Sequence, residues 1–228
     1  MKKYILFLGM LFPLWVSAQN KQIVEAVSGE DLTSKISTRL QYVFPEFTDG
    51  DVFYKGHKGK GKINYNMLVG EMQFVENNQV LSLANVKDVV MINIGDRKFY
   101  PYREKEFTEE ILTTAKHDLR VRYRGNMAQH SKKGAYGIDS STSATTQYSN
   151  VVSDNYRLNV SENVLVTVRY FYYLVGTNGK YTQIKNIKTF TKQFPLYRSQ
   201  IENFAMENNT RFDNQDDLKE LLEYCSKL

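Results

Sequence analysis

The chain has 228 residues, with 30 Lys and Arg against 25 Asp and Glu and a single cysteine, Cys225. A net charge of +5 is too slight to argue for nucleic acid, and one cysteine excludes an intrachain disulfide, so packing has to hold the fold. With 42% hydrophobic residues, 16 Tyr and 13 Phe, the material for a core is present.

Residues 1–18 carry the three parts of an export signal. Lys2 and Lys3 supply the positive start, Tyr4 to Trp15 the apolar run, and Val16-Ser17-Ala18 the small-residue cleavage site. The apolar run is about twelve residues, short of the roughly 20 that span a bilayer, and no second long apolar stretch follows. The expected mature chain is 19–228, a single β-rich domain with no transmembrane segment, in the periplasm or outside the cell. Losing Lys2 and Lys3 lowers the net charge from +5 to +3.

From Gln22 to Lys35 the pattern is polar and fits a loose lead-in or a short helix. Leu40, Tyr42 and Phe44 alternate with Arg39, Gln41 and Val43 before Pro45, which predicts an extended segment from Ile36 to Phe44. Short antiparallel strands follow at Asp51 to Lys55, Lys62 to Val69, Glu71 to Val75, Val80 to Leu83, Val86 to Ile94 and Lys98 to Tyr102. Gly56 to Gly61 reads as a flexible basic hairpin tip carrying Lys58 and Lys60. Ile63, Tyr65, Met67 and Val69 share one face of their strand, and the nearly continuous apolar run Val89 to Ile94 predicts a strand covered on both faces.

Phe107 to Thr114 is expected to form one or two helical turns over the sheet edge. Leu119, Val121 and Tyr123 then alternate with Arg120, Arg122 and Arg124, giving a strand with an apolar face and a guanidinium face. The Ser/Thr-rich stretch from Gln129 to Asn150 is expected to be a mobile loop, because it has too little apolar area to offset its ordering entropy. Order resumes at Tyr156 to Val160, and Val164 to Val175 is an apolar strand whose two faces both require cover or a ligand. Thr177-Asn178-Gly179 turns the chain. Pro195 suits a first helical position, with Tyr197, Ile201, Phe204 and Ala205 on one stripe and Asn208-Asn209 as the stop. Asp213 or Asn214 caps a last helix whose stripe is Leu218, Leu221, Leu222 and Cys225. The expected fold is mainly β (α+β): an antiparallel sheet, open barrel or sandwich with a helical pair at about 195–228 packed on it.

Two blocks carry a resemblance. One runs through Tyr42-Val43-Phe44-Pro45-Glu46-Phe47-Thr48 and Gly50 to Asn64-Tyr65-Asn66, Glu71-Met72-Gln73-Phe74, Ile94-Gly95 and Phe99-Tyr100-Pro101. The other comprises Phe194-Pro195, Tyr197, Ile201, Asn208, Phe212, Asp217-Leu218 and Leu221 to Tyr224. In these the chain resembles a family of uncharacterised exported proteins from Bacteroidetes-type bacteria. The resemblance implies an envelope or secreted location and a β-rich fold with terminal helices, and it brings no established activity.

No catalytic motif stands out. His57, His117 and His130 are isolated, no Gly-x-Ser-x-Gly elbow occurs, and Gly56, Gly59 and Gly61 match neither a P-loop nor a dinucleotide fingerprint. Glu46 and Glu71, both in the family-like blocks, are candidates for a carboxylate pair in acid/base work. Arg120, Arg122 and Arg124, about 7 Å apart on one strand face, are candidates for an anion or partner, together with Lys58 and Lys60. Tyr170, Phe171, Tyr172 and Tyr173 are candidates for apolar ligand contact. The expectation is a non-enzymatic, cofactor-free binding module of the bacterial envelope, meeting an envelope protein, an acidic glycan or a lipid and not nucleic acid. The alternative is a carrier with a lipid or other apolar ligand between sheet and helices.

Overall fold

The structure is a computed structural model in which residues 21–27, 31–129 and 162–228 are described. The expected export signal, the order expected to resume at Tyr156 to Val160 and the expected loop beyond Gln129 lie outside the described residues.

Eleven strands among the described residues form one antiparallel sheet. They are β1 (Lys21–Ala26), β2 (Thr48–Tyr54), β3 (Lys58–Asn66), β4 (Glu71–Glu76), β5 (Gln79–Ser82) and β6 (Val89–Ile94), then β7 (Arg97–Arg103), β8 (Glu106–Thr113), β9 (His117–Gln129), β10 (Glu162–Gly176) and β11 (Tyr181–Ile184). The order across the sheet is β1-β10-β9-β8-β7-β6-β2-β3-β4-β5. β11 shares one edge of β10 with β1: β1 lies opposite Glu162 to Thr167 and β11 opposite Tyr172 to Val175. The sheet is open, and the four α-helices among the described residues are α1 (Thr38–Gln41), α2 (Ile187–Thr191), α3 (Arg198–Glu207) and α4 (Gln215–Cys225).

The period-two pattern fixes which face is inside. Leu119, Val121 and Tyr123 of β9 register with Leu174, Tyr172 and Tyr170 of β10, and all but Tyr170 are buried. Across the sheet Phe107, Phe99, Ile92, Ile94 and Tyr65 continue this inner face at full burial. The stripe Leu218, Leu221, Leu222 and Cys225 closes over it, with α4 packed on β8 and β9. Asn214 caps α4 by accepting from the backbone N–H of Asp216 and Asp217 at 2.8 and 3.1 Å.

The sheet curls inward. After β3, the turn at Met67 and Leu68 lies on the middle of β9, where Gly125 N–H donates to the Met67 carbonyl at 2.9 Å. A Cβ on Gly125 would stand 2.5 Å from Leu68 Cα, so only glycine permits this approach.

Several expectations are corrected. Ile36 to Phe44 is not one extended segment, because α1 interrupts it: Leu32, Ile36 and Leu40 recur every four residues and all are buried, so helical spacing wins over alternation. Gln41 secures the turn by donating from Nε2 to the Ile36 carbonyl at 2.7 Å. Phe107 to Thr114 is strand β8 and not helix, since it is paired by β7 on one side and β9 on the other, which satisfies its backbone as strand. Part of the lead-in from Gln22 is strand β1. Val89 to Ile94 is an internal strand, but Val90 is 53% exposed, so one of its faces is open. The basic tip is shorter than expected: the reversal is at Gly56 and His57, and Lys58 to Gly61 already belong to β3.

Candidate functional site

The expected guanidinium ladder exists on the outer face, but two of its rungs are engaged internally. Arg120 donates to Asp118 and to the Tyr181 hydroxyl, both at 2.7 Å, and its guanidinium lies 3.9 Å from the Tyr100 ring centre. Arg122, 7% exposed, stands between the rings of Phe171 and Tyr102 at 5.2 and 5.5 Å, with Glu106 at 3.6 Å. Tyr102, Tyr173 and Tyr181 pack on one another beside them, with ring centres 4.9 to 5.8 Å apart. This is a small aromatic–arginine core covering the side of the sheet away from α4. Arg124 alone of the three is exposed. Lys58 is paired with Asp51 at 3.0 Å, and Lys60 is the exposed cross-strand partner of the same aspartate.

The tyrosine strand divides between faces. Phe171 and Tyr173 join the outer stack, Tyr172 is buried under the helices, and Tyr170, 40% exposed, opens into a cavity on the inner face. That cavity has a volume of about 540 Å³ and is lined by Arg39, Tyr42, Arg97, Tyr123, Tyr170 and Gln215, with Thr38, Val43, Pro45 and Met67. Its size lies within the range of small-molecule sites, about 300–1,000 Å³. α1 and the segment after it form one wall, the first turn of α4 another, and β7, β9 and β10 the floor.

Beneath the floor is a buried polar cluster. Glu109 of β8, 4% exposed, accepts from Arg97 Nε and Nη2 at 2.5 Å each, and Tyr123 hydroxyl donates to it as well. Arg97 Nη2 also reaches the Tyr123 hydroxyl at 3.1 Å, and its guanidinium lies 4.8 Å from the Phe44 ring centre. Burial alone would lower the Arg97 pKa; the paired bond to Glu109 more than reverses this and raises it. Burial, reinforced by Glu109, pushes the Tyr123 phenol well above its ordinary value. Burial also raises Tyr170, with Arg97 and Arg39 pulling it back, so both guanidiniums act on the Tyr170 hydroxyl. Tyr123 and Tyr170 meet edge to face, with ring centres 5.3 Å apart.

Sequence reasoning identified Tyr170 but missed Arg39, Arg97, Glu109 and Gln215, which belong to four separate elements with no local motif among them. The candidate carboxylates do other work: Glu71 is buried, accepting from Ser82 at 2.6 Å and pairing with Lys105 at 3.2 Å, while Glu46 is exposed before β2. His57 stacks on Tyr54 and His117 packs on Phe194; His130 lies outside the described residues. Among the described residues no three His, Cys, Asp or Glu gather as metal ligands, and no helix is long and apolar enough to cross a membrane. Comparison with known proteins finds no matching family model, no matching curated protein and no matching solved structure.

Proposed function

We propose that the protein is an exported, non-enzymatic binding module that holds an acidic partner at the inner-face cavity. The observation that carries this reading is the half-used guanidinium of Arg97. Glu109 engages Nε and Nη2 and so orients the plane, leaving Nη1 without a hydrogen bond among the described residues. Such a preoriented donor binds an anion with little further loss of entropy. Arg39, exposed on α1, adds a second cation at the same cavity, and the Tyr170 ring adds an apolar face. Export draws on the charged start, apolar run and cleavage site of residues 1–18, and it makes envelope proteins and acidic glycans the accessible partners.

A carrier for a lipid or other apolar ligand is the second reading, favoured by Val43, Pro45 and Met67 on the same wall. The two guanidiniums suit a charged ligand better, since an apolar one would desolvate them without return.

The test is affinity chromatography on immobilised polygalacturonate and on a neutral galactan, with native mass spectrometry of the protein as purified. Wild type is expected to be retained on the acidic matrix only. Arg39→Ala and Tyr170→Ala should each weaken retention about tenfold, as loss of a charge-assisted contact or an aromatic face does, while Lys58→Ala leaves it unchanged. Retention undiminished in both cavity variants would rule the cavity out, and a stoichiometric lipid released on denaturation would favour the carrier.

A further inference from the structure

The outer face carries a second feature that does not depend on the cavity. Most cations on that face have partners in the fold: Arg120 has Asp118 and the Tyr100 ring, Arg122 has Glu106 and Phe171, Lys98 has Glu110, and Arg103 lies over Tyr102. Arg124 and Arg169 do not. They are direct cross-strand partners on β9 and β10, both exposed, and neither has an ion pair or hydrogen bond among the described residues.

Directly opposed residues have Cβ atoms about 4.5–5.5 Å apart, and like charges at that separation repel. Lys21 of β1 lies opposite Thr167, two residues from Arg169 on the same face, and adds a third exposed cation on the diagonal. Three cations without a carboxylate partner among the described residues work against the sheet that presents them, and a bound anion removes the conflict. One carboxylate is satisfied by a single guanidinium fork. Two opposed forks and an ammonium match a dianion with at least three acceptor oxygens.

We propose that Arg124, Arg169 and Lys21 form a binding site for a phosphate monoester. The phosphate bridges the two guanidiniums and lies across β9 and β10, with Lys21 on the third oxygen. Its source is either a soluble phosphate ester or the headgroup of a phosphomonoester lipid.

The test follows the Nε–Hε signals of the arginines by NMR during titration with glycerol phosphate, with acetate as control. In parallel, vesicles of phosphatidylcholine with and without phosphatidic acid are floated with the protein. Glycerol phosphate at millimolar concentration is expected to shift both arginine signals, and acetate to leave them unmoved. Arg124→Ala and Arg169→Ala should each weaken binding about tenfold, as loss of one guanidinium fork implies. Without phosphate their melting temperatures should stay equal to wild type or rise, because repulsion is relieved; a purely structural pair would lose stability instead. Response to the soluble ester alone, or co-flotation that requires phosphatidic acid and both arginines, supports the site and assigns its source. Binding undiminished in both variants, an equal response to acetate, or no response in either arm overturns it.

Discussion

Glu109 lies under the cavity floor with bonds to both Arg97 and Tyr123. Hydrogen bonds to a charged group contribute about 1.5–3 kcal/mol each. The Arg97 side chain is 37% exposed and can turn toward water, so Glu109→Gln is expected near the lower end, a loss of about 2 kcal/mol in urea unfolding. The same substitution releases Arg97 from its fixed plane and should weaken retention on polygalacturonate. Tyr123→Phe keeps the Arg97–Glu109 bond, removes one bond to a charged group and should cost about 1.5 kcal/mol. An equal loss for the two variants would mean that Tyr123, and not the ion pair, organises the floor. At this scale the sequence reveals side-chain direction but not employment. The alternation that put Arg120, Arg122 and Arg124 on one face is correct, yet Arg120 and Arg122 stack on rings supplied by β7, β10 and β11, and nothing local to β9 announces those partners.

Among the elements, long periodic segments are legible and short ones are not. β9 and β10 repeat their pattern often enough for period two to be unmistakable, and the stripe of α4 does the same for the helical period. α1 has one turn and β8 has charged residues at both Glu109 and Glu110, so neither declares its period, and burial and strand pairing decided them. Between the two capping candidates for α4, Asn214 accepts from two backbone N–H groups. Asn214→Ala should therefore cost about 1 kcal/mol, read as a lowered melting temperature, and Asp213→Ala should cost much less. The reverse order would mean that the helix starts a residue earlier in solution.

For the molecule as a whole, buried phenols and a buried thiol set the behaviour at high pH. Burial pushes Tyr100, Tyr172 and Tyr173 from 10.0 up to about 12 and Cys225 from 9.0 up to about 12; the hydrogen bond to Glu110 adds to the effect at Tyr100. Each group keeps its proton to higher pH when folded than when unfolded. The stability this represents is complete below the unfolded values and is lost as pH rises through the folded ones. Urea midpoints should be flat from pH 7 to about 9 and fall between about 9 and 12. A midpoint unchanged at pH 11 would show that these groups ionise freely in the folded protein. Cys225→Ser should reduce the earliest part of that fall and leave the later, phenolic part in place.

By itself the sequence determined the mainly antiparallel β class, most strand positions and the C-terminal helical pair, because alternation, turn residues and helical stripes are local properties of neighbouring residues. Strand order and register are not local. Pairing of β1 with β10 brings together residues more than a hundred positions apart, and no pattern within either segment specifies it. The tertiary structure alone therefore decided that Arg39, Arg97, Tyr170 and Gln215 surround one cavity, and that Arg124 faces Arg169 instead of a carboxylate. Burial tells each residue which face to take, and long-range pairing chooses its neighbours there.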